Sequence, residues 1–105
     1  MKRSEVRWYK FQHPDKNCPI LILTRDSVIE YLNEVTIAPI TSTVRDIPSE
    51  ALLAKSDGMP KTCAVNCDHL QTVSKTKIGS VITVLSQSKM KEVHAAIQFA
   101  LGLEE

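Results

Sequence analysis

The sequence predicts an α+β fold that is mostly β: a small barrel-like sheet followed by one C-terminal helix. Three observations carry that expectation. Strand patterns fill the chain until about residue 85, one of them, Pro19 to Thr24, apolar at nearly every position. From Ser86 onward the apolar residues switch to helical spacing. At 105 residues the chain has room for one domain, 1–105, and one core, small enough that pairing with a second copy helps bury apolar surface.

The elements follow in order. Val6 to Phe11 carries Trp8, Tyr9 and Phe11 and reads as a first strand. Pro19 to Thr24 reads as a second strand buried on both faces, because only such a strand dispenses with polar alternation. Between them Gln12-His13-Pro14-Asp15-Lys16-Asn17 is polar, contains a proline, and makes a hairpin loop rich in titratable groups. Asp26 opens a helical turn or two as its capping acid, with Val28, Ile29 and Leu32 as the apolar positions. Glu34 to Ile40 alternates and returns to strand.

A strand near Ala51 to Ala54 and a turn at Asp57-Gly58 are the readable parts of the next segment. Cys63 to Cys67 and Leu70 to Val73 make a strand with an irregularity, and Val81 to Leu85 makes another. In the last segment Met90, Val93, Ile97, Ala100 and Leu101 recur at helical spacing, with Ser86 as N-cap and Gly102 as the stop.

Composition narrows the function classes. Thirteen basic residues against twelve acidic ones leave a net charge of +1. A protein that holds nucleic acid by bulk electrostatics is more basic, so any nucleic-acid site is local. No apolar run spans a bilayer and no signal-peptide core follows Met1, so a cytoplasmic protein without a membrane partner is expected. Cys18, Cys63 and Cys67 are an odd number, which suits a reducing compartment. Cys63 and Cys67, even with His69, fall short of a metal site, and neither metal nor cofactor is expected.

A resemblance now runs over nearly the whole chain. Glu5-Val6-Arg7-Trp8 resembles the opening of MazF/PemK (Kid) toxins, Pro19 to Leu23 their Pro-led second strand, and Ala38-Pro39-Ile40-Thr41-Ser42 their threonine-bearing strand end. Asn66 to Thr72 is similar to their acid-polar-aliphatic-x-Thr segment, and Leu85-Ser86, Met90 to Val93 and Ala100 to Leu103 to their terminal helix. Each motif alone is short and unspecific; their order and spacing together are specific.

The resemblance implies an SH3-like barrel of the CcdB/PemK kind and a homodimer. It also implies the toxin of a type II toxin–antitoxin system: a sequence-selective, metal-independent endoribonuclease on single-stranded RNA (an mRNA interferase) that arrests growth and is neutralised by a MazE-like antitoxin. Cleavage by the ribose 2′-hydroxyl calls for a base near that hydroxyl, an acid near the leaving 5′ oxygen, and donors to the phosphoryl oxygens.

In the family, an arginine immediately before the strand-opening proline and the threonine of the second motif are expected to act. The threonine carries over as Thr41, with Ser42 beside it to bind phosphate or a base. The arginine position is Cys18, whose thiol offers no permanently charged fork. Three arrangements follow from that exchange. Lys16 supplies the charge and His13 the acid or base; Arg45 supplies the charge; or the protein is a degenerate homologue that binds without cutting or acts on another target, such as a topoisomerase.

Phe11, Asn17, Cys18, Ser42, Arg45, Asp68, His69 and Gln71 complete the expected RNA-binding set. Phe11 and Trp8 are first of all core residues, although an aromatic beside the loop can stack on a base. Asp68 can orient His69 as a base. The loop is short, with Asp15 as its only acid, which leaves the RNA groove more open. Gln71 lies where many relatives carry arginine, and with the near-neutral net charge this lightens the site's positive charge, so RNA affinity should fall less steeply with salt.

Overall fold

The computed structural model describes residues 1–10 and 17–103. Seven strands form one antiparallel sheet: β1 (Glu5–Lys10), β2 (Asn17–Ile22), β3 (Glu34–Thr41), β4 (Glu50–Leu53), β5 (Cys63–Asn66), β6 (Gln71–Ser74) and β7 (Ile78–Val84). Two helices accompany them, the single turn α1 (Asp26–Ile29) and α2 (Gln87–Leu101).

The strand order is β4-β5-β3-β2-β1-β7, and β6 pairs with the other half of β3. β4 and β7 end that order without pairing to each other, so the sheet is open rather than a closed barrel. The long β3 organises the molecule. Its first half pairs with β6 (Glu34↔Ser74 to Ile37↔Gln71), and its last residues pair with β5 (Ile40↔Val65, Thr41↔Ala64). The expected irregularity lies between those partners, as a 3-10 turn at Cys67–His69 that switches the chain from one half of β3 to the other.

β2 is buried on both faces, as its unbroken apolar run requires. Leu21 and Leu23 enter the core beneath α2, with Val6, Leu53, Val65, Met90 and Val93. Ile20 and Ile22 enter a second core with Tyr9, Ile29, Val35 and Ile37. Period-two alternation thus divides one strand between two cores.

β2 begins two residues earlier than Pro19 and ends at Ile22, because Asn17 and Cys18 pair with Lys10 and Tyr9 across the hairpin. β1 ends at Lys10; Phe11 and most of the loop, including His13 and Lys16, lie outside the described residues. Asp26 does not cap α1. Its carboxylate accepts the Arg3 backbone N–H at 2.7 Å, tying the N-terminal segment to the helix, and Arg25 occupies the N-cap without a side-chain bond.

The terminal helix follows its sequence signals. Ser86 Oγ accepts the Lys89 N–H at 3.1 Å, and Gly102 closes the helix at φ +67°. Met90, Val93 and Ala96 are buried, with Ile97 and Ala100 packed against the same core. Leu101, expected on the apolar stripe, faces outward with Phe99 instead. No described helix is long and apolar enough to cross a membrane.

Candidate nucleic-acid interface and active site

The two proline-bearing segments meet at one groove. Across β2 and β3 the register is Ile20↔Pro39 and Leu21↔Ala38. Continued toward the hairpin, it sets Cys18 across from Thr41, on strands about 4.8 Å apart. A groove of about 320 Å3 opens there, lined by Trp8, Asn17, Cys18, Pro19, Ile40, Thr41 and Ser42 on one side and by Met59, Pro60, Lys61 and Cys63 on the other.

The geometry of Thr41 prepares it to donate. Its Oγ1 accepts the Thr43 backbone N–H at 3.0 Å. A hydroxyl has one proton and two acceptor positions, so that bond orients the oxygen and leaves the proton for an incoming oxyanion. The half-buried Cys18 lines the same groove, and a thiol offers no guanidinium-like fork there.

The far wall is held firmly. Asp57 Oδ2 accepts the Ala54 N–H at 2.9 Å, and the Thr83 hydroxyl donates to the Asp57 carbonyl at 3.0 Å. Gly58 then turns the chain at φ +92°, a left-handed conformation that suits glycine, with Thr83 pressed against its open side. Met59 anchors the next step in the core, so Pro60 and Lys61 face the groove from a fixed base.

A neighbouring groove of about 490 Å3 shares Trp8 and Asn17 with the first and adds Lys10, Lys77, Ile78 and Gly79. The two grooves thus adjoin at Trp8 and Asn17, with Lys10 and Lys77 on the second. Trp8 was expected mainly as core. It is 38% exposed on the groove wall, where its ring can stack on a base.

Of the residues expected from sequence, Asn17, Cys18, Thr41 and Ser42 line this groove. Arg45, Asp68, His69 and Gln71 do not. Arg45 lies by Glu50: its backbone N–H donates to Oε1 at 2.9 Å, and its exposed guanidinium lies 3.9 Å from Oε2 without a hydrogen bond. Asp68 accepts the Ser49 hydroxyl at 2.5 Å and His69 contacts Asn66 at 3.3 Å, so the two brace a 3-10 turn rather than each other. Gln71 pairs with Ile37 in the middle of β3, four residues from Thr41.

The sulfur chemistry is likewise local. Burial, with the Asp68 and Glu50 carboxylates adding to it, pushes the Cys67 thiol up to about 11. Burial also raises Cys63, against the pull of the Lys61 charge. Among the described residues no three His, Cys, Asp or Glu side chains gather as an ion would require.

Sequence reasoning did not single out Lys61, and it placed Trp8 elsewhere. Lys61 lies between the Asp57-Gly58 turn and a strand that pairs with the Thr41 end of β3, a pairing that the turn in sequence does not announce.

Comparisons with known proteins agree with this architecture. The family described as PemK-like, MazF-like toxin of type II toxin-antitoxin system matches residues 2–101. Endoribonuclease MazF3 of Mycobacterium tuberculosis is 38% identical over 90 residues, covering 86% of this chain and 87% of that protein. Probable endoribonuclease MazF5 of the same species is 31% identical over 100 residues, covering 94% and 91%. Among solved structures, Mycobacterium tuberculosis toxin MazF-mt6 superposes with a TM-score of 0.85 at 34% identity, covering 93% of this chain and 96% of that one. An endoribonuclease in complex with its cognate antitoxin from Mycobacterial species shares the fold, with a TM-score of 0.87 at 24% identity over 98% and 96% of the two chains. The chain therefore belongs to the PemK-like, MazF-like toxin family of type II toxin–antitoxin systems.

Proposed function

We propose that the chain is a toxin endoribonuclease that cuts single-stranded RNA sequence-selectively and without metal, in the groove between Cys18-Pro19 and Thr41-Ser42. The observation that carries the reading is Thr41 lining that groove, with its Oγ1 accepting the Thr43 N–H so that the hydroxyl has its proton to donate. Relatives named as endoribonucleases support the reaction class.

In the proposed step a base takes the 2′-hydroxyl proton, O2′ attacks phosphorus, and the P–O5′ bond breaks as an acid returns a proton to O5′. The products are a 2′,3′-cyclic phosphate and a 5′-hydroxyl, with no water or metal consumed. Thr41 donates to the phosphoryl oxygen as negative charge builds, a role for which one donor is worth about 100- to 1,000-fold in rate. His13 is assigned the proton transfers, and Lys16, one residue from the groove-lining Asn17, a phosphate contact. Asn17, Ser42 and Trp8 bind the flanking nucleotides, and Phe11, three residues after Trp8 in sequence, is assigned to the same set. Cys18 takes the family's arginine position without its charge.

The partner of such a toxin is a MazE-like antitoxin, in keeping with the family's type II system. A homodimer covers apolar surface that this chain leaves open, including Val81 and Val84 on the edge strand β7. The proposed compartment is the cytoplasm, where the RNA is and where the three free cysteines stay reduced. The reading is tested by incubating the purified protein with a long, weakly structured RNA in excess EDTA and mapping the new 5′ ends. Breaks at one recurring short sequence, with growth arrest on expression, support it; uncut RNA without growth arrest rejects it.

A further inference from the structure

A scissile phosphate calls for positive charge near Thr41, and Cys18 supplies none. Chain adjacency points to Arg45, but its guanidinium faces the nearly buried Glu50 carboxylate rather than the groove. Several other described cations are engaged. Arg3 donates to the Leu23 carbonyl, Arg7 to Glu5 and the Gly79 carbonyl, Lys75 to the Ile29 carbonyl, and Lys89 to the Leu52 carbonyl beside Asp57 and Glu92. The side chains of Lys2, Lys10, Arg25, Lys55, Lys77 and Lys91 make no hydrogen bond or ion pair with a described residue but do not line this groove.

Lys61 differs from all of these. It lines the same groove as Cys18, Thr41 and Ser42, is exposed, and makes no hydrogen bond or ion pair with any described residue. Its place is set by topology: it lies three residues before Ala64, which pairs directly with Thr41. Its backbone is led there by Met59, held in the core, and by Pro60, whose ring fixes φ at the step just before it. Its charge also reaches the groove, acting on the Cys63 thiol in the wall.

We propose that Lys61, which lines the same groove as Thr41, binds the scissile phosphate and adds to the contact assigned to Lys16 a positive charge that Cys18 does not supply. This rests on the groove being the site of RNA cleavage. A lysine gives a point charge rather than a planar fork, so the phosphate is neutralised without bidentate alignment, and arginine at this position serves as well.

The test uses the full chain and its variants Lys61→Ala and Lys61→Arg, with Lys91→Ala on the exposed face of α2 as control. Single-turnover cleavage is measured in EDTA. Binding is measured across a salt series, on RNA carrying a 2′-deoxy nucleotide at the mapped break or, if the parent protein does not cut, on the uncut RNA. Lys61→Ala is expected to lose about 100-fold in cleavage rate. Its salt slope should fall by about one with an unchanged urea midpoint, while Lys61→Arg recovers most of the rate. Lys91→Ala should match the parent. Cleavage by Lys61→Ala within about threefold of the parent, with the parent's salt slope, overturns the role of Lys61 and leaves the groove standing. A parent protein that leaves RNA uncut overturns the groove reading instead; Lys61 is then judged by the salt slope, which supports phosphate binding if reduced and rejects it if unchanged.

Discussion

Replacing Gly58 by alanine tests how the far wall of the groove is built. Gly58 adopts φ +92°, where a side chain costs about 1 to 2 kcal/mol relative to glycine. An added Cβ would overlap Thr83 Oγ1 and lie 2.7 Å from Thr83 Cβ. The hydroxyl can rotate away only by giving up its bond to the Asp57 carbonyl, and the Cβ cannot rotate away at all. Overpacking of that kind adds about 1 to 3 kcal/mol, so the total loss is expected at about 2 to 5 kcal/mol. Urea unfolding followed by circular dichroism measures it, with an unchanged slope confirming that the same surface is exposed. Gly79→Ala is the control, since its Cβ would meet Trp8 at an ordinary 3.5 Å; it should stay within about 0.5 kcal/mol of the parent. A loss below about 0.5 kcal/mol in Gly58→Ala would refute the described turn and the fixed position of Lys61 that depends on it.

Further expectations concern the thiols and the acid limb. Thiol-reactive reagents at neutral pH should label Cys18 in the native protein and reach Cys63 and Cys67 only after unfolding, because both are buried and burial raises both thiols, Cys67 to about 11. Rapid native labelling of Cys67, read by peptide mass, would contradict its described environment. Burial alone would raise the Glu5 carboxyl, but the Lys2 N–H and the Arg7 guanidinium outweigh burial and hold it below its ordinary value of 4.5. Its contribution to stability is therefore full above that value and lost as pH falls through the lower folded value. Glu5→Gln should remove part of the destabilisation measured between about pH 5 and 3 by urea titration, and an unchanged pH profile would count against that carboxylate.

Much of the fold was legible because its strongest signals are local. The unbroken apolar run of β2 fixed its burial on both faces before any partner was known, and Ser86 and Gly102 marked both ends of α2. Local signals also misled where tertiary contacts overrode them. Asp26 has the chemistry of a helix cap, yet the Arg3 N–H, 23 residues away, takes its carboxylate. Leu101 continues the helical stripe but lies beyond the end of the core.

The groove divides in the same way. Cys18 and Thr41 were readable as a pair because the resemblance puts the residue before the strand-opening proline and the threonine of the second motif in one site. Lys61 was not, because its nearness to Thr41 arises from β3 pairing with β5, a contact between residues some twenty positions apart that no adjacency in sequence announces. Arg45, only four residues from Thr41, turns instead to Glu50. Proximity along the chain was a poor guide to charge in the groove; strand register was the better one.

The most direct test of the central claim is a comparison of the parent protein with Thr41→Ala on one RNA in EDTA, by single-turnover rate and mapped 5′ ends. The account predicts breaks at a recurring sequence for the parent and a rate lower by about 100-fold or more for Thr41→Ala, with unfolding midpoints alike. Equal rates for the two proteins, at the same breaks, would contradict it.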